Sequence, residues 1–245
     1  MSVEQLTELR TSERRLLAVF PHPDDESYGP AGTLARAGAD SATAVVAFCM
    51  TRGEASIIGK ERGISPDEVA ELRYERLMRV SDHLKLDAML IGEEPDGKMA
   101  YRPLDHVSAS IFAVLEAFRP QVVIAHDPRG VNAHPDHIAT HWALRHALLR
   151  ASRTRVAMLA YTEELVDAVK PRLLFATPEE DIDAVVRLSE SEIAAKEACL
   201  REHDALVTLR DDGDPALLRR PPVERYNFLG ESFDPPLDSV FAELD

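Results

Sequence analysis

The stretch Phe20-Pro21-His22-Pro23-Asp24-Asp25-Glu26 sets one imidazole among three carboxylates at the end of an apolar run. Like charges this close destabilise one another unless a cation sits among them, and a metal ion is the simplest relief. The bland alternative is an acidic turn capping the next helix. A second cluster, His126-Asp127-Pro128-Arg129-Gly130-Val131-Asn132-Ala133-His134-Pro135-Asp136-His137, packs three histidines and two aspartates into twelve residues. Two histidines and one carboxylate with an open position make up the ligand set of a hydrolytic zinc site. Bound zinc lowers the pKa of its water toward neutrality, and a free carboxylate nearby takes the proton. His22, Asp24, Asp25, His134 and His137 are the candidates. Spacing alone leaves open which of Asp24 and Asp25 binds metal and which is the base.

Both clusters need positioning, and the sequence supplies it. Leu16–Phe20 reads as a short buried strand that the two prolines stop, because proline cannot donate to a sheet ladder. Val122–Ala125 is a second such strand, directly before the second cluster. In open α/β sheets ligands bind outside the carboxyl ends of strands, so the two clusters meet at one edge. Pro135 fits the first position of a helix, which puts His134 at the N-cap and His137 at the third position. A helix N-terminus disfavours imidazolium, so His137 is expected neutral and able to ligate. Asp136 is expected to hold His134 protonated, and a cationic histidine can stabilise an oxyanion or protonate a leaving amine. His141, one turn on, reads as an orienting or packing histidine.

The remaining elements alternate. Helices are expected over Ala31–Ala39, from Ser65-Pro66-Asp67-Glu68 to Leu84, and over Leu104–Phe118, with strands over Ala42–Met50, Ala88–Gly92 and Val156–Tyr161. Beyond them come a long amphipathic helix over Asp181–Leu206, with His203 as a surface or cap residue, and a linker over Arg210–Pro222. Tyr226–Leu229 reads as an edge strand. Gly29-Pro30-Ala31-Gly32 lacks a full phosphate-loop pattern, so its glycines are assigned to close backbone packing. The whole is a single α/β domain, a mostly parallel sheet flanked by helices.

Composition narrows the partners. The formal charge is −15, from 28 basic and 43 acidic residues, which argues against a nucleic-acid-binding surface. The two cysteines, Cys49 and Cys199, sit far apart in apolar settings and are expected buried and reduced. No signal peptide and no membrane-length apolar run is found, so a cytoplasmic location is the expectation. Association into a homo-oligomer is left open.

With these motifs in hand, the chain resembles the PIG-L/LmbE-like zinc-dependent deacetylase family. Pro21-His22-Pro23-Asp24-Asp25-Glu26 after an apolar strand and His134-Pro135-Asp136-His137 opening a helix carry the resemblance, which covers roughly residues 14–206, with 207–245 as a C-terminal extension. It implies a Rossmann-like fold and removal of acetyl groups from N-acetylglucosamine-containing conjugates, a small-molecule substrate, with one Zn2+ per chain. It implies His22, Asp25 and His137 as metal ligands, Asp24 as general base, and His134 paired with Asp136 as stabiliser and acid. Glu54 and Asp96 match acidic positions of family substrate loops, and Lys196–His203 matches a late family segment. Val19-Phe20-Pro21 resembles the bacillithiol-synthesis branch. Ala133, Asp204-Ala205 and the pair Arg73 and Arg76 depart from the family pattern and bear on substrate identity. The aglycone is expected near Arg52, Glu54, Asp96 and Arg129, where an arginine could pair with a substrate carboxylate. Two other readings compete. A non-haem iron(II) enzyme would use the same ligand types, but such sites usually sit in β barrels. A non-catalytic metal module would not require Asp24 or the His134–Asp136 pair.

Overall fold

Leu16 to Phe20 are at most 2% exposed, a burial on both faces that only an interior strand allows. The computed structural model describes residues 2–151, 153–168, 173–203 and 222–244. After a 3₁₀ helix over Glu4–Thr11 come β1 (Arg14–Phe20), α1 (Asp25–Tyr28), α2 (Ala31–Gly38), β2 (Thr43–Thr51), α3 (Ile58–Arg62) and α4 (Pro66–Leu84). The chain continues through β3 (Ala88–Glu94), α5 (Leu104–Phe118), β4 (Val122–Ala125), the kinked turn α6 (Gly130–Ala133) and α7 (Pro135–Leu148). It closes with β5 (Arg155–Ala160), α8 (Glu163–Ala168), β6 (Ala184–Arg187), α9 (Glu190–Glu202) and β7 (Val223–Phe228).

The strands form one seven-stranded sheet in the order β3-β2-β1-β4-β5-β7-β6. The first five in that order run parallel, and β7 is antiparallel to both neighbours. Alternate residues of β1 feed two cores. Leu17 and Val19 pack with α5 and α7, while Leu16, Ala18 and Phe20 pack with α2 and α4. Strand order reverses between β1 and β4, so the two strands ahead of the expected ligands lie side by side. That is the crevice where α/β sheets bind ligands.

Local signals explain most boundaries. Ser65 Oγ accepts from the Glu68 N–H while Glu68 returns a bond to the Ser65 N–H, the reciprocal cap expected of that start. The expected long helix over Asp181–Leu206 is corrected. Ala184–Arg187 forms β6, and α9 begins only after Ser189, whose own capping box with Glu192 resets the helix start. The β-branched pair Val185-Val186 favours the strand. Residues 204–206 of that expectation, and the expected linker up to residue 221, lie outside the described residues. Tyr226 is fully buried between β5 and β6, so β7 is an interior strand and not an edge. Val223–Phe228, within the segment expected as an extension, is therefore part of the sheet. Buried Arg155 ties its far end down through Glu231 at 2.7 Å and the carbonyls of Val240 and Ala242.

The glycines at 29–32 serve packing. The α2 N-terminus receives a carboxylate from the chain itself: Glu224 accepts from the N–H groups of Gly32 and Thr33 at 2.9 and 2.7 Å. Lys196 donates to the same Glu224 carboxylate and to the Gly29 carbonyl. At the other end of α2, a Cβ on Gly38 would collide with the carbonyl oxygens of Leu84 and Lys85, which end α4. Gly38→Ala should thus cost about 2 kcal/mol by overpacking, a fall of roughly 4–8 °C in Tm at this chain length. Thermal unfolding by circular dichroism measures it, and an unchanged Tm would mean the two helices separate without cost.

Candidate metal centre and active-site cleft

Pro21 carries the chain off β1 and is held by Thr51 at the end of β2, whose backbone N–H and hydroxyl both donate to its carbonyl. This fixes His22 over the sheet edge. On the neighbouring strand, α6 and the N-terminus of α7 bring in His134 and His137. Gly130, at φ 65°, makes the close approach, since a Cβ there would lie 2.7 Å from His137 Cβ. Its carbonyl accepts a proton from His137 Nδ1 at 3.0 Å, which leaves Nε2 of that ring as a bare lone pair.

That lone pair faces two neighbours. His137 Nε2 lies 3.2 Å from His22 Nδ1 and 3.4 Å from Asp25 Oδ1, and His22 Nδ1 lies 3.6 Å from Asp25 Oδ2. His22 is flanked from behind: its Nε2 lies 3.1 Å from Asp96 Oδ1 and 3.4 Å from Asp136 Oδ2. Those carboxylates favour positive charge on His22, whose Nδ1 proton a metal would displace. Ligand atoms bonded at about 2.1 Å in a tetrahedron stand roughly 3.4 Å apart. The three residues therefore fit a divalent metal, and their electrostatics call for one. Burial opposes charge on His22, yet hydrogen bonds to Asp136 and Asp96, with the charges of Asp25 and Asp96, push its pKa up to about 10. Burial raises the Asp25 carboxyl against the pull of His22. His137 is driven down by burial and by the charges of His126, His22 and His134, so it is neutral.

Asp24 lies beside this triangle at φ 144°, a left-handed conformation that a non-glycine residue holds only when its surroundings impose it. Three contacts do so. Its N–H donates to Glu26 Oε2 at 3.0 Å, its Oδ2 accepts from Arg73 at 2.9 Å, and Arg73 also donates to the Pro23 carbonyl. Glu26 is itself anchored by Ser27 Oγ at 2.6 Å and His203 Nε2 at 3.0 Å. His203 is thus corrected from a surface residue to a buried one. It does end α9, and its ring turns inward onto Glu26.

His134 differs from expectation in its charge. The Asp136 carboxylate is not on its ring, because it accepts from the N–H groups of Gly97 and Met99 at 2.7 and 3.0 Å. His134 Nδ1 instead accepts from the Asp136 N–H at 3.2 Å, so the ring's proton sits on Nε2. Burial and the charge of His22 lower its pKa, outweighing Asp136, and His134 is a neutral donor.

The expected substrate contacts divide. Asp96 lines the cleft, with Oδ2 accepting from the Ala55 N–H, and it orients His22. Glu54 accepts from the Asp96 N–H at 2.8 Å and so supports that loop rather than the cleft. Arg52 lies outside the lining, 3.5 Å from Glu71. Arg129 also lies outside it, bound to Asp127 and the Ala176 carbonyl with its guanidinium 5.2 Å above the Phe175 ring. Two site residues had no role in the sequence reading. His126 stacks on His137 at 4.0 Å with Nε2 3.6 Å from Asp25, and the signal was its place at the very end of β4. Arg73 is buried, and its signal was an arginine in the apolar stripe of Val69 and Leu77. His141 holds the His126 carbonyl through Nδ1 at 2.9 Å, the packing role expected of it.

Comparisons with known proteins place the chain among deacetylase-like sequences. A family model described as GlcNAc-PI de-N-acetylase matches residues 17–148. The 1D-myo-inositol 2-acetamido-2-deoxy-alpha-D-glucopyranoside deacetylase of Mycobacteroides abscessus is 30% identical, with 84% of this chain and 86% of the relative covered. The enzyme of that name from Kineococcus radiotolerans is also 30% identical, over 95% of this chain and 82% of its own length. The narrower resemblance to a bacillithiol branch finds no support in these relatives, whose named substrate carries myo-inositol. A crystal structure of a deacetylase from the teicoplanin biosynthesis pathway superposes with a TM-score of 0.68 at 18% identity, over 88% of this chain and 98% of that one. At that identity the likeness speaks for the fold.

The ligand geometry predicts one divalent metal per chain. Measured by plasma mass spectrometry after dialysis, His137→Ala should retain less than about a tenth of it, as loss of one of three protein ligands implies. Retention of full metal by His137→Ala would place the site elsewhere.

Proposed function

The chain belongs to the PIG-L family, and from that premise we propose that it removes the N-acetyl group from an N-acetylglucosamine-containing conjugate at a zinc site made by His22, Asp25 and His137. The observation that carries the reading is the pair of ring nitrogens of His22 and His137, 3.2 Å apart and each within 3.6 Å of an Asp25 carboxylate oxygen, beside a cleft also lined by Asp24 and His134. Zinc is preferred because two nitrogens and a carboxylate at tetrahedral spacing suit it, with iron(II) or another divalent ion as the alternative. Two buried, unpaired cysteines fit a reducing, cytoplasmic setting.

A metal at this site supplies Lewis acidity, which polarises a carbonyl and acidifies a water molecule. The chain's own residues do the rest. Asp24 is the general base. Arg73 occupies its Oδ2, which leaves Oδ1 to take the proton of the attacking water. His134 donates Nε2–H to the oxyanion that develops on the acetamide carbonyl, and as a neutral donor it serves without having to stay protonated. The proton gathered by Asp24 is then available to the departing amine. Asp96 and Asp136 keep His22 in the ligating orientation throughout.

The test is fluorescamine detection of free amine from a panel of N-acetylglucosamine conjugates, with metal-loaded, chelated and variant enzyme. Asp24→Asn should lower kcat by about 10²–10⁴ while keeping its metal, as loss of a general base implies. His134→Ala should lose about 10²–10³ in kcat, and His134→Gln, which keeps an N–H donor, should recover part of that loss. Equal loss in both His134 variants would return that residue to the role of cationic acid. Amine release that survives chelation would overturn the metal reading.

A further inference from the structure

The cleft beside the ligand triangle has a volume of about 830 Å³, in the upper part of the range for pockets that enclose a drug-sized ligand. An N-acetylated sugar alone does not account for it, so its walls carry information about the rest of the substrate. Its polar lining comes from the expected ligands with Asp24, Asp96, Ser56 and Asn132, and its apolar lining from Val131, Leu159, Leu173 and Leu174, with Tyr28 and Tyr161 also among the lining residues. Leu173 is 58% exposed.

We propose that the aglycone of the substrate is an uncharged apolar group, alkyl or aryl, seated on the Val131–Leu159–Leu173–Leu174 wall. The inference rests on the deacetylase reading above and goes further by naming the chemical class of the conjugate. Charge argues first. The arginine lining the cleft among the described residues is Arg73, and it is committed to Asp24 and the Pro23 carbonyl, while His22 faces Asp96 and Asp136. Arg52 and Arg129 face other partners outside the lining. An anionic aglycone would thus enter beside Asp24 and Asp96 without a counter-charge on the described wall. Polarity argues next. A polyol gives up water when it binds and needs hydrogen-bond partners in return, which leucine and valine side chains do not provide. An alkyl or aryl group removes the leucines from water and gains from it, and tyrosines at the border offer an apolar ring with a polar end.

The experiment uses the full, metal-loaded chain. It compares kcat/KM for octyl and phenyl N-acetylglucosaminides, the myo-inositol conjugate, N-acetylglucosamine 1-phosphate and free N-acetylglucosamine. The expected order places the octyl and phenyl conjugates at least about tenfold above the inositol conjugate and the phosphate, the scale of one leucine side chain taken out of water. Leu173→Asp, at an exposed position that folding does not bury, should cut the octyl-over-free-sugar ratio about tenfold, through KM. A preference for the inositol conjugate or the phosphate, or an unmoved ratio in Leu173→Asp, would overturn the proposal. Release of no amine from any conjugate would instead sink the deacetylase reading. In that event calorimetric titration with octyl N-acetylglucosaminide still decides the subsite: binding weakened by Leu173→Asp supports it, and no binding refutes it.

Discussion

The site turns on two ring nitrogens that the protein forces to face one another. The Gly130 carbonyl accepts from the His137 Nδ1–H, and Asp96 with Asp136 flanks His22 Nε2, so both rings turn their inner nitrogens to the space that Asp25 also faces. Two ring nitrogens 3.2 Å apart, each within 3.6 Å of an Asp25 oxygen, call for a positive charge between them, a proton in the free site or a metal in its place. The outer partners therefore matter as much as the ligands.

A further layer of buried polar contacts holds the catalytic loop in a shape it would not adopt alone. Asp24 at φ 144° depends on Glu26, Glu26 depends on His203 at the end of α9, and Arg73 reaches across from α4. Lys196 and Glu224 brace the other end of α1 through the Gly29 carbonyl. Glu224 also fills the α2 N-terminus, the place where related α/β folds receive phosphate, with a carboxylate of the chain's own.

Much of this was legible in the residues, and the failures have physical causes. Strong periodic elements, such as Leu104–Phe118 and the capped helix behind Ser65, match their expected bounds. The strand at the first cluster was readable because Pro21 and Pro23 stop it abruptly, and the strand at the second as a short apolar run, Val122–Ala125. What was misread lies where two local preferences compete. Residues 184–187 carry a β-branched run inside what reads as helical amphipathicity, and a capping box at Ser189 separates the two states. The charge of His134 was misjudged because proximity in sequence does not fix where a carboxylate points. The Asp136 side chain goes to the loop at Gly97 and Met99, a destination set by tertiary packing alone. Arg73 went unassigned for a similar reason: a buried cation is visible as an oddity on an apolar stripe, but its anion lies 49 positions away.

The reversal of strand order between β1 and β4 has one more consequence. The ligands come from two segments 115 residues apart, and they meet only when those strands pair across the middle of the sheet. Contacts of such long range close late, after nearer ones have repaid the entropy of the loop between them. No fragment ending before β4 holds all three proposed ligands, so a metal held by them would be a ligand of the finished fold. By mass action it would then draw the whole folding equilibrium toward the native side, and the proposed reaction centre would become a fastener of the sheet that built it.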